Sequence, residues 1–263
     1  MTFTGLIGDV GMFPLRLIIN VCVRLRIHPN VLTLVGVLIN VAAAWALALR
    51  RFVLAGFIML VANIFDFIDG KVARELHWES AFGGFWDSVL DRFSDISLFI
   101  GLIYLYSTLG RTDYVMITSL AMMFSVLTSY TRARAESLVT KCKVGFMERP
   151  ERIVLFMIGA FTNRMAAVLW VILVFSVATV FARIYYTWRA LPGPGRTSLP
   201  LDLERVLPLP LRPLWHALYW NFERATWQYD VMVVAILAFV WLTPPAWLGD
   251  PTAVGMGMLG WIM

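Results

Sequence analysis

Four aspartates carry the chemistry this sequence could do. Asp66 and Asp69 are three residues apart, and Asp87 and Asp91 are four apart. Either interval puts both side chains of a pair on one face of an α-helix. Carboxylates offer only oxygen, so a group of them suits a hard divalent cation, Mg²⁺ or Mn²⁺, better than Zn²⁺. His77 is the one imidazole nearby, and no cysteine stands close. Such a set could hold two ions, an arrangement that stabilises both the attacking and the leaving oxygen of a phosphoryl transfer. Gly70 and Gly83 fit beside it, because glycine lets a backbone approach a ligand closely. The bland alternative is that the aspartates are solvated helix caps and the glycines serve helix packing.

The elements that must position these residues are apolar. Asp66 and Asp69 close one hydrophobic run and Asp87 and Asp91 open the next, with only a short stretch between. The two helices are therefore expected to run antiparallel as neighbours, gathering like charges that repel strongly at low dielectric and call for a cation. Ionisable groups in such segments are costly and usually functional. Of the 263 residues, 60% are hydrophobic and 15% charged, too apolar for a soluble domain. The chain belongs in a bilayer, whose hydrocarbon of about 30 Å takes about 20 helical residues to cross. No run of short alternating segments suggests a β-barrel.

The fold expected is all-α: a six-helix transmembrane bundle, preceded by an interfacial amphipathic helix and followed by a possible seventh span. A juxtamembrane segment, 1–28, includes the amphipathic stretch 10–27. The catalytic membrane domain, 29–190, has spans expected at 29–49, 53–73, 81–108, 114–133, 150–163 and 164–187. The apolar part of the fifth is short, so its helix is expected to begin near Gly145 and let Arg149 and Arg152 reach the headgroups. Residues 191–263 read as a Pro-rich connector and an apolar appendage, with 227–248 apolar enough to cross although Pro244 and Pro245 limit it.

Basic residues orient the bundle. Arg16, Arg24, Arg26, Lys71, Arg74, Arg132, Arg134, Lys141, Lys143, Arg149 and Arg152 would lie on one side, against Arg50, Arg51, Arg111 and Arg164 on the other. The positive-inside tendency then places the aspartates at the cytoplasmic face of the cell's inner membrane, with both ends of the six-span core inside. The net charge of +5 reflects this topology and attraction to anionic lipid rather than nucleic acid. The start shows no removable signal peptide. Cys22 and Cys142 belong to no ligand pattern and read as packing residues. His28 and His77 read as interfacial, as do Trp78, Trp86 and Trp188.

The spacing D-x2-D-G-x2-A-R-x8-G-x3-D-x3-D, met at Asp66, Asp69, Gly70, Ala73, Arg74, Gly83, Asp87 and Asp91, resembles the signature of the CDP-alcohol phosphotransferase family, over about residues 10–190. That resemblance implies a homodimer of six-helix protomers, with a site open to the cytoplasm and laterally to lipid. It implies that Asp66, Asp69 and Asp87 ligate two Mg²⁺ or Mn²⁺ ions, with Asp91 contributing and acting as base. Asp69, Gly70, Ala73, Arg74 and Gly83 would line the site of a CDP-linked lipid such as CDP-diacylglycerol. The implied enzyme is a transferase of phospholipid biosynthesis that moves a phosphatidyl-type group onto an alcohol and releases CMP.

A second cluster bears on that alcohol. Arg132 and Arg134 lie in RARAE, Arg152 in ERPER, and Arg183 near the end of the sixth span. Guanidinium forks match phosphate oxygens, so their convergence would suit an anionic acceptor; they also read as topology anchors paired with Glu136, Glu148 and Glu151. The strings resemble those of bacterial phosphatidylinositol-phosphate synthases and their archaeal archaetidylinositol-phosphate relatives. This implies inositol 1-phosphate as acceptor, with Arg132, Arg134, Arg152 and Arg183 at its phosphate. Arg132 stands where some relatives carry Lys. Glycerol 3-phosphate is the rival acceptor, serine a weaker one, and a cation transporter the rival outside the family.

Overall fold

The computed structural model describes residues 15–191 and 226–253, all of whose regular structure is helical. The beginning of the amphipathic segment, the Pro-rich connector at 192–225 and the last residues from 254 lie outside the described residues. The described chain forms two compact units, the first ending at Leu105 and the second beginning at Tyr106.

In the first unit, α1 (15–24) is the described part of the expected interfacial helix. Its Ile19 and Cys22 pack on Leu32, Ile68 and Val72, while Leu17, Val21 and Leu25 remain exposed. That arrangement suits a helix lying at a lipid surface. α2 (Pro29–Ala48) begins on Pro29, where a missing N–H costs nothing, and the Nδ1 of His28 accepts from the Asn30 N–H at 3.2 Å. α3 (Phe52–Glu75) follows after a tight reversal in which Arg50 takes a left-handed φ of 64°. α4 (Ala81–Thr108) follows the loop at 76–80, where His77 is again left-handed at φ 54°.

Small residues bring these helices close. A Cβ on Gly101 of α4 would collide with the backbone carbonyl of Ala44 on α2, so only glycine permits that approach. Ala43, Leu47, Ala55, Met59, Ala62, Leu98 and Phe99 are buried, and the Asn40 amide donates to Ser94 Oγ between α2 and α4. Large apolar side chains face outward instead of inward: Trp45 is 67% exposed and Phe57 57%. A soluble unit would not leave such rows to water, whereas lipid accepts them.

In the second unit, α5 (Thr112–Glu136) and α7 (Met165–Ala190) are the long helices, and α6 (Arg149–Thr162) packs on α7. Buried hydroxyls at Thr118, Ser125, Thr128, Ser176 and Thr179 permit close packing of α5 and α7. α8 (Trp227–Leu242) is capped by Thr226 and ends before Pro244; α9 (Pro245–Leu248) is a single turn.

Among the described residues, four helices are both long and apolar enough to cross a membrane, namely α2, α3, α5 and α7. This is therefore a membrane protein. α4 has the length, but Asp87, Asp91, Arg92 and Asp95 crowd its first half. α6 has 14 residues, which at 1.5 Å each gives about 21 Å, short of the hydrocarbon thickness. The 16 residues of α8 reach only about 24 Å.

The fifth span departs from expectation. It does not begin near Gly145, which takes a left-handed φ of 93° and lies so close to Thr179 that a Cβ would overlap it. The helix starts at Arg149, with Pro150 in its first turn, after the Met147 N–H has been spent on Thr179 Oγ1 at 3.1 Å. Arg152 consequently points inward, 2% exposed, and does not reach for the headgroups.

Candidate active site

The acidic site grows from the α3 to α4 turn. Asp66 and Asp69 project from one face of the last turns of α3, and Asp87 from the second turn of α4. One carboxylate oxygen from each of these three lies within 4.8 Å of the others. Asp69 is 7% exposed; Asp66 and Asp87 are half-buried. A small, oxygen-only, partly buried cluster of three carboxylates fits a hard divalent ion bridging them, and no softer metal.

Asp91 stands outside this group of three. It is one turn beyond Asp87 on α4, its side chain is 14% exposed, and the Arg92 guanidinium is 3.9 Å away. That is a looser contact than an ideal charged hydrogen bond. The four aspartates that the spacing joined are thus three clustered oxygens and a fourth carboxylate next along the helix.

Neighbouring groups steer the cluster. The Thr33 hydroxyl, on α2, donates to Asp69 Oδ2 at 2.5 Å and orients that carboxylate. Ser80 Oγ accepts from the Gly83 N–H at 2.9 Å, pinning the entry to α4. A Cβ on Gly83 would sit 3.1 Å from Ser80 Oγ and 3.6 Å from Asn30 Oδ1. A Cβ on Gly70 would meet only Arg74 Nη2, at 3.8 Å, so the chain itself does not forbid a side chain there and the space is free for a ligand. Arg74 is exposed and only loosely paired with Glu79, at 3.8 Å. At the same end His28 stacks on Trp78, with 5.7 Å between ring centroids.

The second unit gathers arginines. Arg132 on α5 reaches Glu148 Oε1 at 2.8 Å and Glu136 Oε1 at 3.1 Å. Arg183 on α7 reaches the same Glu148 oxygen at 3.4 Å, donates through Nε to the Val144 carbonyl at 3.0 Å, and donates through Nη1 to the Thr128 carbonyl. Arg152 on α6 donates to Thr128 Oγ1 at 3.0 Å. Arg152 and Arg183 are each 2% exposed. Arg134 turns away: it is exposed and donates to Ser137 Oγ at 3.2 Å. Three of the four expected arginines therefore converge.

Thr33, Thr128 and the Val144 carbonyl did not announce themselves in the sequence. The only available signal was a hydroxyl inside an apolar span, and that is common for packing reasons alone. Cys142, fully buried beside the arginines, has its thiol pushed up by burial.

Residues 26–185 match the sequence profile described as CDP-alcohol phosphatidyltransferase. The chain is similar to the archaetidylinositol phosphate synthase of Pyrococcus horikoshii, at 35% identity over 173 residues that cover 65% of this chain and 89% of the relative. It is similar in structure to the phosphatidylinositol phosphate synthase of Mycobacterium tuberculosis with CDP-DAG bound. The TM-score is 0.63 at 28% identity, over 68% of this chain and 96% of that one. The same synthase in complex with manganese and citrate gives 0.60 at 27% identity, over 68% and 91%.

Proposed function

From the premise that the chain belongs to the CDP-alcohol phosphatidyltransferase family of transferases, we propose that it moves a phosphatidyl-type group from a CDP-linked lipid to inositol 1-phosphate and releases CMP. The observation that carries the reading is the pairing of an oxygen-only acidic cluster with a separate group of converging arginines. The first suits a pyrophosphate neutralised by divalent ions, and the second suits an acceptor that brings its own phosphate. The relatives named for inositol phosphate acceptors support the second half, and the synthase with CDP-DAG bound supports the first.

Asp66, Asp69 and Asp87 would hold the ions, Mg²⁺ or Mn²⁺ and two in number, with Asp91 at the edge of the site. When bound, these ions supply the positive charge that offsets the pyrophosphate. Gly70, Ala73 and Gly83 leave room for the cytidine diphosphate, and Arg74 is available to its phosphates. Asp91 accepts the proton of the acceptor hydroxyl, whose oxygen bonds to the lipid-side phosphorus as the bond from that phosphorus to the CMP oxygen breaks. Arg132, Arg152 and Arg183 would hold the acceptor's phosphate. Arg134, exposed, contributes charge at the rim. Family membership leaves the transporter reading without support.

The enzyme would work as a homodimer in the cytoplasmic membrane, with the site facing inward. Its catalytic domain is residues 29–190, and 191–263 is an addition. The deciding experiment is CMP release by the purified enzyme in Mg²⁺ with inositol 1-phosphate, glycerol 3-phosphate and serine offered separately. Turnover with inositol 1-phosphate at the lowest KM is expected. Preference for glycerol 3-phosphate would replace the acceptor, and turnover with serine alone would overturn the role of the arginines.

A further inference from the structure

The family match ends at residue 185, so α8 lies beyond it. We infer that α8 braces the arginine cluster through Tyr229, a positioning residue for the acceptor; this deepens the acceptor reading above and rests on it.

Tyr229 lies in the first turn of α8. Its hydroxyl donates to Glu151 Oε1 at 3.0 Å, and its ring lies 5.6 Å from that of Phe146. Phe146 is buried and meets Phe175 of α7 at 5.4 Å. The Phe146 carbonyl accepts from the Glu148 N–H at 3.0 Å, and the Glu148 carbonyl accepts from the Arg152 N–H at 3.3 Å. Tyr229 therefore grips the chain on both sides of Glu148, the carboxylate that pairs with Arg132 and Arg183. Its hydrogen bond lands one residue before Arg152.

Attachment of the segment does not need this contact. At its far end Arg164 donates to the Thr243 carbonyl at 2.9 Å, Tyr114 to the Leu248 carbonyl at 2.5 Å, and Asn163 to the Thr252 carbonyl at 3.3 Å. From that contact an apolar crevice of about 340 Å³ runs along the two helices, lined by Glu151, Val154 and Ile158 of α6 and by Tyr229, Val233 and Leu237 of α8. The middle of α8 is thus loosely packed on α6, and the near end registers against the 146–152 stretch through Tyr229. A hydrogen bond to a carboxylate at the edge of an apolar region is directional and stronger than a neutral one. It fixes where the first turn of α6 sits, and with it Glu148 and Arg152.

The test compares full-length Tyr229→Phe, which keeps the ring and removes the donor, with Val234→Ala, a change at an exposed α8 position. Tyr229→Phe is expected to raise the acceptor KM roughly fivefold, within the range of one charged hydrogen bond. Its kcat and CDP-lipid KM should stay near wild type, and Val234→Ala should change nothing. Combined with Glu151→Ala, the Tyr229 change should add little further. An unchanged acceptor KM would overturn the inference, and so would an equal rise in both KM values, which indicates general loosening.

Hydrogen exchange of the amides at 144–152 gives a readout independent of the acceptor. Faster exchange in Tyr229→Phe supports the brace, and unaltered exchange overturns it. If the wild-type enzyme used serine and no anionic acceptor, the acceptor reading would fail, and amide exchange would still decide whether Tyr229 braces this stretch.

Discussion

The acidic cluster of the first unit and the arginine cluster of the second handle charge in opposite ways. Asp66, Asp69 and Asp87 each bring one carboxylate oxygen within 4.8 Å of the others. Arg132, Arg152 and Arg183 are held by Glu148, by the Thr128 hydroxyl and carbonyl and by the Val144 carbonyl. The first arrangement gathers like charges whose mutual repulsion a bound divalent cation would relieve. The second draws its partners from carboxylate, hydroxyl and carbonyl groups of the chain. A phosphate drawn to these guanidiniums, as proposed above, would have to compete with Glu148 for them.

The comparison breaks most visibly if the aspartates are changed. Asp87→Asn is expected to abolish both Mn²⁺ binding, measured by electron paramagnetic resonance, and CMP release. Asp91→Asn should cut turnover by about 10³-fold, as loss of a general base does, while Mn²⁺ binding survives. Equal loss of metal in both variants would place Asp91 among the ligands and remove the distinction drawn between the cluster and its neighbour. Chelation of the purified enzyme should stop turnover, and either Mg²⁺ or Mn²⁺ should restore it.

A smaller effect separates the arginines. Arg183→Ala removes a guanidinium that is 2% exposed and leaves Glu148 under-compensated, which should lower stability by about 3 kcal/mol and show as a fall in Tm. Arg132→Ala, at a side chain 35% exposed, should leave Tm nearly unchanged and raise the acceptor KM. A fall in Tm for Arg132→Ala equal to that for Arg183→Ala would mean the cluster is purely structural.

Thr33→Val tests how the acidic site is oriented. Removing the hydroxyl that donates to Asp69 should weaken Mn²⁺ binding roughly 10-fold, with the fold intact. The least change is expected at Cys142. Burial pushes its thiol up, so less thiolate is present at any given pH, and labelling by an aqueous maleimide at pH 7.5 should be about tenfold slower than for free cysteine. Fast labelling would show that the arginine cluster is open to water.

How far each cluster was legible follows from how it is built. The aspartates sit on consecutive helices joined by the short loop 76–80, so intervals of three and four residues and one tight turn already imply their meeting. The arginines come from three helices between residues 132 and 183. Sequence reasoning could note that several fall at helix ends but could not say that Arg134 turns outward while Arg152 turns in. The start of α6 was misplaced because the left-handed backbone of Gly145 and the seizure of the Met147 N–H by Thr179 depend on α7, thirty-odd residues away.

Composition and local spacing alone determined that this chain lives in a membrane, is helical, and carries a divalent-metal phosphotransfer signature. These properties depend on hydrophobicity, helical period and ligand chemistry, all of which act over a few residues. Only the tertiary structure decided that three aspartates cluster and a fourth stands beside them, that Thr33 steers Asp69, and that Tyr229 reaches Glu151. Each of those depends on which faces of separate helices meet. Side-chain packing and close approach at residues such as Gly101 and Gly145 settle that across distances that local periodicity does not encode.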